Sequence, residues 1–253
     1  MPTAAASPAT ARRAPPRPRN DPGQYDDLAG EWWRPGGPFQ TLQWIAAARA
    51  QAVPAATRPG ALLVDVACGG GLLAPHVAGL GYRHLGIDLS EPSLREAAAH
   101  GVTPVRADAL RLPLGDAVAD VVVAGEMLEH VPDLSRTVSE LTRILRPRGT
   151  LVADTLADTA LARFVTITLG ERVRGVPAGL HDGSLYVDRA RLRREARRGG
   201  VDLQLTGLRP AFGDVLRWLI GRRPDVRMIP TRPTTVLFQA VGRKEYALTT
   251  ESP

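Results

Sequence analysis

One cysteine and one lysine stand in 253 residues, aromatic side chains make up 5% of them, and apolar runs are all short. The lone thiol, Cys68, excludes an intrachain disulfide and any cysteine-based zinc cluster, and it fits a reducing, cytoplasmic compartment. Without a run of about 18 apolar residues, no helix is expected to span a bilayer. Without an apolar stretch near the N-terminus, no secretory signal is expected either. Acids are missing from the first twenty residues, which are rich in Ala, Pro and Arg. Residues 1–22 therefore read as a disordered basic tail, the alternative being a transit peptide, which the prolines disfavour.

The positive charge that is present, a net +6, is carried almost wholly by arginine, with Lys244 the one lysine. Apart from the tail, the arginines cluster only at Arg189–Arg198. Leu192, Glu195 and Ala196 interleave that stretch, as on the solvated face of a helix. No RNA-reading aromatic signature accompanies it, so a nucleic-acid partner is not expected. Apolar residues reach 44%, enough for one α/β core with embellishments.

The order of the chain supports that class. Residues 23–58 place Tyr25, Trp32 and Trp33 beside acids, then a Pro-Gly-Gly-Pro punctuation and a helical stretch from Phe39 to Val53, and read as an N-terminal helical cap. Residues 59–243 then alternate strands with helices. Strands are expected at Leu62–Val66, His84–Asp88, Thr103–Arg106, Asp120–Ala124 and Thr150–Asp154, with two more at Val201–Leu208 and Thr234–Val241. Helices are expected to about Gly79, over Glu91–His100 behind the N-cap Ser90, and from Arg136 to Leu145. The expected fold is α/β and Rossmann-like: a doubly wound, mostly parallel, seven-stranded sheet with helices on both faces. A lid insertion is placed at about residues 157–187, and residues 244–253 form a C-terminal tail.

The first strand breaks at Ala67-Cys68-Gly69-Gly70-Gly71 before a helix begins, the form of a nucleotide-binding turn. Gly69, Gly71 and Ala74 also satisfy the dinucleotide fingerprint G-x-G-x-x-G/A. Acids discriminate between the ligands. Asp88 ends the second strand, where a carboxylate accepts two ribose hydroxyls of either NAD or S-adenosylmethionine. Asp65 precedes the glycines, where it would repel a pyrophosphate but suit a ligand carrying an ammonium and a sulfonium. Asp108, ending the third strand, suits an adenine amino group. Three acids at successive strand ends favour a cationic adenosyl ligand.

With V-D-V-A-C-G-G-G, G-I-D-L-S, R-A-D-A and L-R-P-R-G-T in place, residues 60–155 resemble the class I S-adenosylmethionine-dependent methyltransferases. Ala67 departs from the glycine usual there, a substitution easily accepted if its φ is negative. A narrower likeness rests on Gly125-Glu126-Met127-Leu128-Glu129-His130-Val131-Pro132-Asp133, on Trp32-Trp33 ahead of Phe39 and Leu42, and on Leu180-His181-Asp182. These resemble the ubiquinone-biosynthesis O-methyltransferase family, whose members methylate phenolic polyprenyl intermediates.

The resemblance implies S-adenosylmethionine bound by Asp65, Ala67, Gly69, Gly71, Asp88, Leu89, Asp108 and Ala109. It also implies that Arg49 pairs with the cofactor's carboxylate and that Gly125 touches it through its backbone. It further implies a divalent cation, Mg²⁺ or Zn²⁺, at Glu126, Glu129 and His130, whose spacing would share one helical face. A phenol with a pKa of about 10 needs a base at neutral pH, and His130 and His181 are the candidates. The expected partner is a small-molecule phenolic acceptor. Residues 158–180 mix Leu161, Phe164, Val165, Ile167 and Leu169 with Arg163, Arg172 and Arg174, and read as a lid or as a peripheral membrane contact. Transfer to carbon or nitrogen, and a non-catalytic cofactor-binding role, are the alternatives.

Overall fold

Valine-rich strands without polar alternation need cover on both faces, and the computed structural model, which describes residues 18–172, 179–221 and 225–245, supplies it. Strands β1 (Leu62–Val66), β2 (Arg83–Asp88), β3 (Thr103–Arg106), β4 (Ala119–Gly125) and β5 (Leu145–Leu156) pair in parallel. Three antiparallel strands complete the sheet: β6 (Gln204–Pro210), β7 (Met228–Thr231) and β8 (Leu237–Arg243). Their order is β3-β2-β1-β4-β5-β8-β6-β7, eight strands where seven are expected. The extra strand, β7, is four residues long and contains Pro230, so it offers little pattern to read and sits at the sheet edge that proline tolerates.

The helices are α1 (Gly23–Asp27), α2 (Gln40–Ala50), α3 (Ala74–Val77), α4 (Glu91–Ala99), α5 (Leu134–Ile144), α6 (Ala160–Arg163), α7 (Arg189–Arg198) and α8 (Phe212–Leu219). Four of the described helices are capped as their sequences require. Ser90 Oγ accepts from the Ser93 N–H, Asp133 Oδ1 from that of Arg136, Thr159 Oγ1 from that of Ala162 and Asp188 from that of Arg191. The arginine-rich α7 buries Leu192 and Ala196 and exposes its charged side, as its interleaving predicts. By contrast, α3 is a single turn followed by a tighter coil to Leu80, and α8 has no counterpart in the sequence reading.

Two expectations need correction. Glu126, Glu129 and His130 do not share a helical face. Glu126 has φ +50°, residues 128–130 form a turn, and α5 starts only at Leu134, because Pro132 cannot extend a helix back through this stretch. Residues 18–22 are also held in place, although the disordered tail is expected to reach residue 22. Arg19 and Asn20 hydrogen-bond to Glu171, Gly179 and His130, so an ordered segment begins ahead of α1. Residues 1–17 and 246–253, and Arg174 in the insertion, lie outside the described residues. No described helix is long and apolar enough to cross a membrane.

Because β2 and β4 flank β1 on opposite sides, the connections leaving the carboxyl ends of β1 and β4 run in opposite directions. They open a crevice at this switch point. The insertion leaves the same edge after β5, and backbone pairing at Ala157 and Val187 ties its ends together.

Candidate functional site

A cavity of about 270 Å³ opens at the carboxyl edge of β1, β2 and β4. Its floor is the glycine turn, and the cap supplies its roof. A Cβ added to Gly69 or Gly70 would fall 2.5 or 2.3 Å from the Trp32 indole, so both glycines are needed to seat that ring. The neighbouring Trp33 Nε1 donates to Gly70 O at 2.9 Å, and Trp32 Nε1 donates to Ser93 Oγ at 2.9 Å. The double tryptophan therefore clamps the turn from the cap side. Gly71 does not line the cavity. Its φ of +78° and its approach to Ala97 let the chain turn beneath α4. Ala67 does line it, but with φ +56° rather than a negative value.

The three acids reach the cavity from three strands. Asp88 Oδ2 accepts from the Gly69 N–H at 2.8 Å and Oδ1 from that of Ser90 at 2.9 Å, which holds the carboxylate in one orientation. Burial pushes its pKa up, against these N–H donors, which favour the charged form. Asp65 is buried on β1, with His84 Nε2 3.5 Å from its Oδ2. Asp108 stands exposed at the rim just past β3, and its Oδ1 accepts from the Leu110 N–H. Leu89 and Ala109 complete this wall. Cys68 is buried among these groups. Desolvation, with Asp65 and Asp88 adding to it, raises its thiol pKa and keeps it un-ionised.

Arg49 also reaches the cavity, from α2, already paired. Its Nε and Nη2 donate to Asp154 Oδ2 and Oδ1 at 2.6 and 2.7 Å, both side chains being buried. Burial alone would lower the guanidinium pKa, but Asp154 more than offsets it. A Cβ on Gly125 would lie 1.8 Å from the Arg49 Cζ, so glycine is required there to admit the guanidinium. Asp154 escapes the sequence reading because nothing in the pattern of β5 separates it from any other strand-end acid.

On the opposite wall, His130 is half-buried with its Nδ1 2.6 Å from Asn20 Oδ1, while its Nε2 is 3.4 Å from the Tyr25 hydroxyl. Desolvation, with a further contribution from His181, lowers its pKa to about 3, so the ring is neutral. His181 does not line the cavity. It stacks behind His130 at 5.4 Å between ring centroids, and burial lowers its pKa too. Glu129 is buried behind the turn, where Oε2 accepts from Thr155 Oγ1 at 2.6 Å. Desolvation outweighs that bond and raises its pKa to about 7.

Burial and the nearby Glu129 and Asp154 likewise raise Glu126. Glu126 and Glu129 each keep one buried carboxylate oxygen without a hydrogen-bond partner. Yet among the described residues no three His, Cys, Asp or Glu side chains converge to hold a metal ion, so the expected triad at Glu126, Glu129 and His130 does not form. The positive φ at Glu126 and the Asn20 contact turn its members apart.

Comparisons with known proteins bear on the family and the fold. A family model described as a methyltransferase domain matches residues 64–153. The ubiquinone biosynthesis O-methyltransferase of Methylococcus capsulatus is 39% identical over 189 residues, covering 71% of this chain and 80% of that one. Its counterpart in Thiobacillus denitrificans is 34% identical over 195 residues, covering 73% and 84%. The fold is similar to that of an S-adenosylmethionine-dependent methyltransferase of Thermotoga maritima. That structure superposes with a TM-score of 0.62 at 18% identity over 87% of this chain and 98% of that one.

Proposed function

We propose, from the premise that the chain belongs to the ubiquinone biosynthesis O-methyltransferase family of S-adenosylmethionine-dependent methyltransferases, that it methylates a phenolic oxygen of a small molecule such as a quinone precursor. The observation that carries this is the facing of two walls across one cavity: carboxylates from successive strand ends on one side, a neutral imidazole on the other. Asp88 would hold the ribose hydroxyls, Asp65 the ammonium and Asp108 the adenine amino group. Arg49 Nη1 would meet the carboxylate, since Nε and Nη2 already serve Asp154. Bound there, S-adenosylmethionine supplies a methyl carbon activated by a sulfonium, the C–S bond breaking as the C–O bond forms.

The protein's own task is to position the acceptor and take its proton. His130 Nε2 receives that proton in this reading, with His181 packed behind the ring. Turnover of labelled S-adenosylmethionine against catechols and demethylated quinone precursors tests it. Catechol methylation, reduced about 100-fold or more in His130→Ala, is the expected outcome. Methylation of amine or carbon acceptors alone would overturn the oxygen assignment.

The two unpartnered oxygens of Glu126 and Glu129 favour a nearby cation, whereas the commitment of His130 Nδ1 to Asn20 does not. Activity lost in EDTA and restored by Mg²⁺ would add a carboxylate-held ion.

A peripheral contact with a membrane, made from the cytoplasm, goes with this function. Leu161, Phe164, Val165 and Leu169 are exposed on the insertion, and Phe212, Leu216, Leu219 and Ile220 form a second exposed stripe on and just past α8. Strand β6 runs parallel to β5 across the sheet, so α8 and the insertion both leave the carboxyl edge, where the cavity opens. Arg163, Arg172, Arg209, Arg217 and Arg227 accompany the two stripes.

A further inference from the structure

We infer that Asn20 is a positioning residue for His130, fixing which imidazole nitrogen carries the lone pair presented to the acceptor; this rests on the methyl-transfer reading above. The assignment follows from what each atom can do. Asn20 Nδ2 donates to the His130 backbone carbonyl at 2.9 Å, and a carbonyl oxygen only accepts. The amide nitrogen is therefore spent there, and Oδ1 is the atom 2.6 Å from His130 Nδ1. Because Oδ1 also only accepts, Nδ1 carries the proton. In a neutral ring Nε2 then holds the lone pair, facing the cavity and the Tyr25 hydroxyl at 3.4 Å. Burial raises the Tyr25 pKa, so this phenol stays protonated and acts as a donor to Nε2 until an acceptor takes its place.

Asn20 is itself held. Its backbone N–H donates to Gly179 O at 2.9 Å, and Arg19 donates to both carboxylate oxygens of Glu171 and to His181 O. A short segment ahead of α1 thus ties the insertion to the turn that carries His130. A half-buried base oriented by a third group through its far nitrogen has the logic of a nucleophile–base–orienter triad, here with an amide as the orienting group.

The test uses the full chain with ¹⁵N-labelled histidine. Long-range ¹H–¹⁵N correlations at neutral pH are expected to show His130 protonated at Nδ1 and bare at Nε2. In Asn20→Ala the Nε2-protonated form should appear and kcat should fall about 10-fold or more. KM and S-adenosylmethionine affinity by calorimetry should stay within about 2-fold. Asn20→Asp, which still accepts from Nδ1–H, should restore the tautomer and most of kcat, a rescue that a merely structural tie would not show. A wild-type ring protonated at Nε2, or an Asn20→Ala protein with unchanged tautomer and kcat, would overturn the inference. Full activity of His130→Ala would instead sink the base assignment in the proposed function, while the tautomer measurement still decides whether Asn20 orients the ring.

Discussion

Ala67 occupies the left-handed region at φ +56° in the turn that floors the cavity, where its methyl group costs about 1–2 kcal/mol relative to glycine. Glycine's greater freedom in the unfolded chain offsets about half of that. Ala67→Gly should therefore raise stability in urea melts by about 0.5–1 kcal/mol, and a lower midpoint would show that the methyl group is packed rather than strained. Arg49 and Asp154 make the opposite case, a pair whose members depend on each other. Arg49→Ala leaves a fully buried carboxylate unpaired and should cost about 3–5 kcal/mol, much of it recovered in the double variant Arg49→Met, Asp154→Leu. Recovery absent from the double variant would mean that Arg49 acts mainly through other neighbours. At this scale the sequence shows where glycine is needed but not what makes it necessary. Gly69 and Gly70 admit a tryptophan, Gly71 a helix and Gly125 a guanidinium, all brought in by packing.

Among the elements, α5 was legible as a helix over Arg136–Leu145, two residues past its Asp133-capped start at Leu134, while the turn before it was not, since a single positive φ at Glu126 breaks an otherwise helical spacing. Glu140 anchors α5 to the loop before β4. Its Oε2 accepts from the Leu112 N–H at 2.8 Å, and Arg143 donates to both oxygens at 2.9 Å. The Arg143 guanidinium holds the carboxyl below its usual 4.5, so the stabilisation is complete above that pH and is lost as pH falls through the lowered value. Glu140→Gln should accordingly cost about 1–3 kcal/mol at neutral pH and close to nothing once acid protonates the wild-type side chain. Thermal melts across the acid range measure the gap, and one that stays constant would refute the ion-pair account. The insertion is testable as an element too. Deleting residues 160–175 should reduce co-sedimentation with anionic liposomes, and unchanged sedimentation would remove the membrane role from this segment.

At the scale of the whole molecule, the cavity joins the cap, the glycine turn and three strand ends, so a donor bound there holds parts of the chain that are far apart in sequence. At about 100 times its dissociation constant, S-adenosylmethionine should add about 2.7 kcal/mol, read as a rise in Tm, and Asp88→Ala should abolish that rise. An equal rise in the variant would remove Asp88 from the donor site. The sequence by itself determined the alternation of buried strands and helices, the glycine break after β1 and the placing of acids at strand ends, because periodicity and φ demands are local properties. Only the tertiary structure decided which groups meet. Arg49 finds Asp154 105 residues away, Asn20 finds His130 110 residues away, and Trp32 closes over Gly69 and Gly70. Such pairings depend on how the cap and the insertion pack against the carboxyl edge of the sheet, and no residue spacing encodes that packing.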